Sequence, residues 1–157
     1  MLHKNISRLM FTLLLTSVHL IIPSQSEPLF DAIRENNLGA IKALIAAGVN
    51  INQENRYGHT PLIHAAYWGR IDTVRALIAA SAKVNQINTF GETALMFAAG
   101  SGGTDTVQAL IAAGAEVNQR NNFGKTASYI ARDENVGAAS IMRAITQKQF
   151  LNQPSEN

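Results

Sequence analysis

The chain has 157 residues, 46% of them hydrophobic and 15% charged, a balance that suits one soluble domain with a modest core and excludes disordered and fibrous classes. It contains no cysteine, which excludes disulfides, a thiolate nucleophile, cysteine-based metal sites and a lipid-modified cysteine. The formal charge of +2 invites an anionic partner only until its location is considered.

Lys4 and Arg8 lie at the very start, ahead of the apolar run Leu9 to Ile22 and the small pair Ser24 and Ser26. A basic segment, an apolar segment and a small-x-small site make a secretory signal peptide, so residues 1–26 are predicted to be a leader cleaved after Ser26. Thr12, Thr16, Ser17 and His19 interrupt a run already short for a bilayer span, and an uncleaved anchor or a buried N-terminal helix is the alternative. Loss of Lys4 and Arg8 leaves 11 basic residues against 11 acidic ones. A neutral mature chain with no basic cluster is not drawn to phosphate backbones, so no nucleic acid and, after cleavage, no membrane is expected as partner. Its destination would be the periplasm or the cell exterior.

Beyond residue 26 the chain repeats itself. The phrases ALIAAGVNINQ, ALIAASAKVNQ and ALIAAGAEVNQ begin at Ala43, Ala76 and Ala109, and GHTPLIHAA, GETALMFAA and GKTASYIAR begin at Gly58, Gly91 and Gly124; both sets recur every 33 residues. Complete units run over 58–90 and 91–123, a shortened one over about 28–57 and a degenerate one over 124–150, leaving 151–157 as a polar tail. The repeat domain thus covers 27–150.

Each unit reads as two helices. Ile71, Val74, Leu77 and Ile78 form one apolar stripe, and LIHAAYWG supplies a shorter helix rich in small residues. Helices this short are unstable alone and must stack on neighbours. Ala65, Ala66, Ala98 and Ala99 allow close approach, while Leu62, Leu77 and Ile78 fill the space between units. Thr60, Thr93 and Thr126 stand where first helices begin and suit caps, with Pro61 just inside; Asp72 and Asp105 suit the start of second helices. Gly48, Gly69, Gly102 and Gly114 mark helix ends, and Ser81 replaces glycine at one of them.

GHTPLIHAA followed by GRIDTVRALIAASAKVN and another glycine-led copy resembles the ankyrin repeat over about Pro28 to Ile145. That resemblance implies an all-α solenoid of stacked helix pairs with projecting β-hairpin-like loops. The family's histidine in T-P-L-H is replaced by Ile63 and Met96, with His64 one place late. The last unit ends in TASYIARDEN, and its second helix, with Ile141, Ala144 and Ile145, runs one residue out of phase. Arg132, Asp133, Glu134, Arg143, Gln147 and Lys148 would give this end the polar face that a solenoid terminus needs.

Chemistry is sparse. GSGG at Gly100 to Gly103 could flank a nucleophilic serine, but an activated serine needs a histidine and a third orienting group, and a turn between helices accounts for the glycines. His59 and His64 are separated by the helix start at Thr60 and Pro61, which spoils a metal pair; His64 reads as a packing residue and His59 as an exposed loop residue. Asn52, Asn85 and Asn118 form a series suited to turns. Tyr57, Phe90 and Phe123, each just before a glycine, either pack loop on loop or display a stripe, and their regular recurrence favours packing.

In ankyrin-like modules partners dock on the concave side, through loop tips and the exposed ends of first helices. The glycine register maps those places to Arg56, Tyr57, His59, Tyr67 and Trp68, then Thr89, Phe90, Glu92, Gly100 and Ser101, then Asn122, Phe123, Lys125, Asp133 and Glu134. Trp68 is the only tryptophan, and Trp and Tyr at a solvent-facing helix end are favoured interface anchors. Local cover over helix ends is the competing role. The reading is a monomeric, non-catalytic module that binds one protein and needs no cofactor, serving as an immunity, envelope-enzyme-protecting or effector protein. A hydrolase with a site in the concave groove would need clustered titratable groups where only His59, Glu92 and Lys125 are dispersed. A subunit of a larger assembly is the other alternative.

Overall fold

The computed structural model describes residues 27–133 and 138–151; the proposed leader and all of the polar tail but Leu151 lie outside them. Among the described residues the chain forms eight helices and no strand. They are α1 (Pro28–Arg34), α2 (Leu38–Ala46), α3 (Pro61–Tyr67), α4 (Ile71–Ala79), α5 (Ala94–Gly100), α6 (Thr104–Ala112), α7 (Ala127–Asp133) and α8 (Ala138–Leu151). Consecutive helices pair within a unit, α1 to α7 pack in a front row through α3 and α5, and α2, α4, α6 and α8 form a back row. This is the all-α stack of helix pairs expected from the 33-residue period.

The local signals act as their chemistry predicts. Thr60 Oγ1 accepts from the Ile63 amide at 3.2 Å and Thr93 Oγ1 from the Met96 amide at 3.3 Å, each satisfying a donor that the first turn leaves open. Thr126 does the same for Tyr129 at 3.3 Å. Asp72 and Asp105 lie in the first turns of α4 and α6. Ser81 holds the left-handed φ of 68° that its glycine counterparts adopt at the other helix ends.

Stacking buries a continuous core. Leu62, Ala65, Ala66, Val74 and Leu77 of one unit and Leu95, Ala98, Ala99, Val107 and Leu110 of the next are at most 1% exposed. Ile78 is only partly buried against them. In the last unit Ile141 and Ile145 are buried while Arg132, Arg143 and Gln147 are exposed, so the terminal pair keeps an apolar inner side. Asp133, Glu134 and Lys148 fall where side chains are not described.

Two asparagine series hold the loops. Asn52 Oδ1 accepts from the Lys83 amide and Asn85 Oδ1 from the Glu116 amide, both at 2.9 Å, so each ties one unit to the next. Asn55, Asn88 and Asn121, also 33 apart, fold each loop tip on itself. Asn88 Oδ1 accepts from the amides of Phe90 at 2.9 Å and Glu92 at 2.8 Å, and the Asn88 amide donates to the Glu92 carbonyl at 3.0 Å. These tips are hairpin-like turns that stack by backbone: the Thr89 amide donates to the Tyr57 carbonyl at 3.3 Å, and the Asn122 amide to the Phe90 carbonyl at 3.0 Å.

Close stacking explains two of the three equivalent loop glycines, Gly58 and Gly91, and not Gly124: a Cβ on Gly58 would lie 2.8 Å from the Thr89 amide nitrogen. A Cβ on Gly91, at a φ of 74°, would lie 2.6 Å from Asn122 Oδ1 and 3.0 Å from the Asn122 amide nitrogen. Gly124 has a φ of 73° with nothing within 4 Å of the same position. Gly124→Ala therefore pays only for left-handed backbone, roughly 1 to 2 kcal/mol. Gly91→Ala should be at least about 1 kcal/mol worse, because the next loop must also move. Denaturant midpoints check this, and equal losses would contradict the stacking of the loops.

Candidate functional site

Seven rings meet across the front row and its loops. Phe30 of α1 contacts His64 of α3 edge-on at 5.3 Å between centroids, and His64 contacts Trp68 at 6.3 Å. Trp68 contacts Tyr67 at 5.2 Å, Tyr67 contacts Phe97 of α5 at 5.8 Å, Phe97 contacts His59 at 5.2 Å, and His59 reaches Tyr57 at 6.1 Å. The Arg56 guanidinium lies 4.9 Å from the Tyr57 centroid and extends the chain as a cation over a ring. Tyr67 and Trp68 remain 52% and 44% exposed even so. The cluster has a supported base and a wet surface, which suits amphipathic aromatic residues at an interface.

The structure thus brings together Arg56, Tyr57 and His59 of the loop with Tyr67 and Trp68 of the helix end. It adds Phe30, His64 and Phe97. Phe97 stands at the position of His64 one period on, which is the signal that could have found it. His59 is half-buried against Phe97 and is not the exposed loop residue expected.

The remaining candidates are more scattered. Thr89 Oγ1 donates to the Tyr57 carbonyl at 3.0 Å and Asn122 Nδ2 to the Thr89 carbonyl at 3.2 Å, so both brace stacked tips. Phe90 and Phe123 do not pack loop on loop as their recurrence suggests; they are 47% and 70% exposed because backbone bonds already join the tips. Ser101 Oγ donates to the Ala98 carbonyl at 3.1 Å in its own helix end. The Lys125 ammonium lies 5.1 Å from the Tyr129 centroid, away from the ring cluster. Among the described residues no group of three His, Asp or Glu side chains could hold a metal ion.

Beside the cluster a groove of about 260 Å³ is lined by Tyr67, Glu92, Met96, Phe97, Gly100, Ser101 and Ile130. A larger one of about 520 Å³ lies on the back row between α6 and α8, with Ile111, Arg143 and Gln147 in its wall and no aromatic residue. Of these two grooves, only the one on the front row combines a concavity with exposed rings.

Electrostatics tie the cluster to protonation. Burial pushes the His59 imidazole below its ordinary range, with the Glu92 carboxylate pulling the other way. Burial also lowers His64, helped by the charges of His59 and Arg34. Trp68 Nε1 donates to His64 Nε2 at 3.2 Å, which requires that nitrogen to be unprotonated. Unfolded histidines take up protons near pH ~6.5 while the native rings resist, so the unfolded state binds more protons and stability falls as pH drops. Thermal midpoints should fall between pH ~7.5 and pH ~5, and the fall should shrink in a His59→Asn/His64→Asn variant. A midpoint flat or rising toward acid would contradict this.

The family model for ankyrin repeats in three copies matches residues 3–88 and 80–153, the first match reaching into the segment read as a leader. With the helix pairs and loops just described, this chain belongs to the ankyrin-repeat family. Ankyrin repeats indicate a protein-interaction module, which points to a protein as the class of partner. No curated protein matches the chain. No helix among the described residues is long and apolar enough to cross a membrane.

Proposed function

We propose that the chain is a non-catalytic binding module that holds one protein partner on its front row, with Tyr67 and Trp68 as anchors and the loop tips of Arg56, Tyr57, Phe90, Asn122 and Phe123 as the rim. The observation that carries this is the connected ring cluster, half open to solvent at Tyr67 and Trp68. Its counterparts one period on are Gly100 and Ser101, so stacking itself does not demand aromatics there. Buried aromatic anchors supply most of the energy in protein interfaces, and the half-exposed rings here have surface left to bury.

Export belongs to the same reading. Lys4, Arg8, the apolar run and Ser24 with Ser26 support a cleaved leader, and α1 begins at Pro28, so cleavage after Ser26 would leave every described helix intact. The mature protein then starts at Glu27 in the periplasm or outside the cell, and acts as a monomeric immunity, protective or effector protein. N-terminal sequencing of the product checks export, and an intact Met1 on a cytosolic protein would sink it. The binding claim is tested by recovering partners from an envelope extract with the mature chain: wild type should retain a protein that Trp68→Ala releases.

A further inference from the structure

Equivalent positions on the front row are filled unequally. Where α3 carries Tyr67, α5 carries Gly100, and the groove of about 260 Å³ opens at this missing side chain. Its volume lies below the roughly 300 Å³ at which sites for whole small molecules begin, so it suits a single side chain. Met96 and Ile130 offer apolar wall, Tyr67 and Phe97 offer ring faces or edges, and Glu92 supplies the one acid. Glu92 Oε2 accepts from Asn88 Nδ2 at 3.0 Å. Its basic neighbour is the His59 ring, which burial pushes toward the neutral form. An acid flanked by rings and aliphatic wall complements a long side chain with an apolar stem and a cationic end.

We propose that this groove is the subsite for one lysine or arginine side chain of the protein partner, held by Glu92 and the rings of Tyr67 and Phe97 with its stem against Met96 and Ile130. This rests on the reading that the front row docks a protein. It makes the partner's central contact cationic, although the mature chain is formally neutral.

The test uses two small probes on the isotope-labelled protein: N-acetyl-arginine amide and N-acetyl-citrulline amide, equal in length but differing in charge. The arginine probe should give saturable amide shifts at Glu92, Gly100 and Ser101 with an affinity on the order of 10 mM. The citrulline probe should bind at least about fivefold more weakly, and Glu92→Gln should weaken the arginine probe by a similar factor. A glutamine oxygen can still accept from Asn88, so the variant should keep the wild-type melting midpoint. Equal binding of the two probes would mean an apolar pocket and overturn the proposal. So would an unchanged affinity in Glu92→Gln, or no saturable shifts in the groove. The two readings fail separately. Loss of partner binding in Trp68→Ala with no arginine binding leaves the docking face and removes the cation subsite; arginine binding with unchanged partner affinity in Trp68→Ala does the reverse.

Discussion

Leu77→Ala should lower the free energy of unfolding by about 2 to 5 kcal/mol, a large fraction of what a small domain has to lose. Leu77 is fully buried in α4, which packs on α3 within its unit and on α2 and α6 to either side. Removing its side chain leaves a cavity between elements that cannot collapse independently. In a stack whose stability comes from nearest-neighbour interfaces, weakening a central unit weakens the contacts on both sides. Arg75→Ala on the exposed side of the same helix should stay within about 0.5 kcal/mol. Denaturant melts of the two variants decide the matter, and equal midpoint shifts would mean that the packing face of α4 is misassigned.

Trp68→Ala should weaken partner binding by about 2 kcal/mol or more, roughly thirtyfold, as truncation of an interface anchor does. The same substitution removes the bond to His64 and the ring contacts to His64 and Tyr67, so some loss of stability is expected as well. The comparison that matters is between affinity and melting point. Calorimetry against the recovered partner should show the affinity loss at a temperature where both proteins are folded. A lower melting point with unchanged affinity would make Trp68 a cover for helix ends and nothing more.

Much of the fold was legible because its signals are local and repeated. Thr60 and Thr93 cap the helices that their positions predict, and Asn52 and Asn85 tie units together at the period that marked them. The loop core was harder to see. Asn55, Asn88 and Asn121 share the period too, but the bonds that identify them run to amides two and four residues on, a turn geometry that spacing alone does not reveal. Tyr57, Phe90 and Phe123 recur as packing residues would, yet backbone bonds between tips join the loops and leave the rings outside.

The candidate site was legible residue by residue and not as a surface. Tyr67 and Trp68 stood out because their counterparts are small. Phe97 did not, since its role depends on which rings of neighbouring units face one another. His59 looked exposed because its sequence neighbours are loop residues, whereas Phe97 from the next unit covers it. Contacts of this kind arise from the stack, and a single unit does not contain them.

The docking surface is tested most directly by mapping amide hydrogen exchange on the protein with and without its recovered partner. Binding should slow exchange at the loop tips 55–59 and 88–92 and around 67–69 and 100–102, while the back row stays unchanged. Protection confined to the groove between α6 and α8, with the front row exchanging as in the free protein, would contradict docking on the ring cluster.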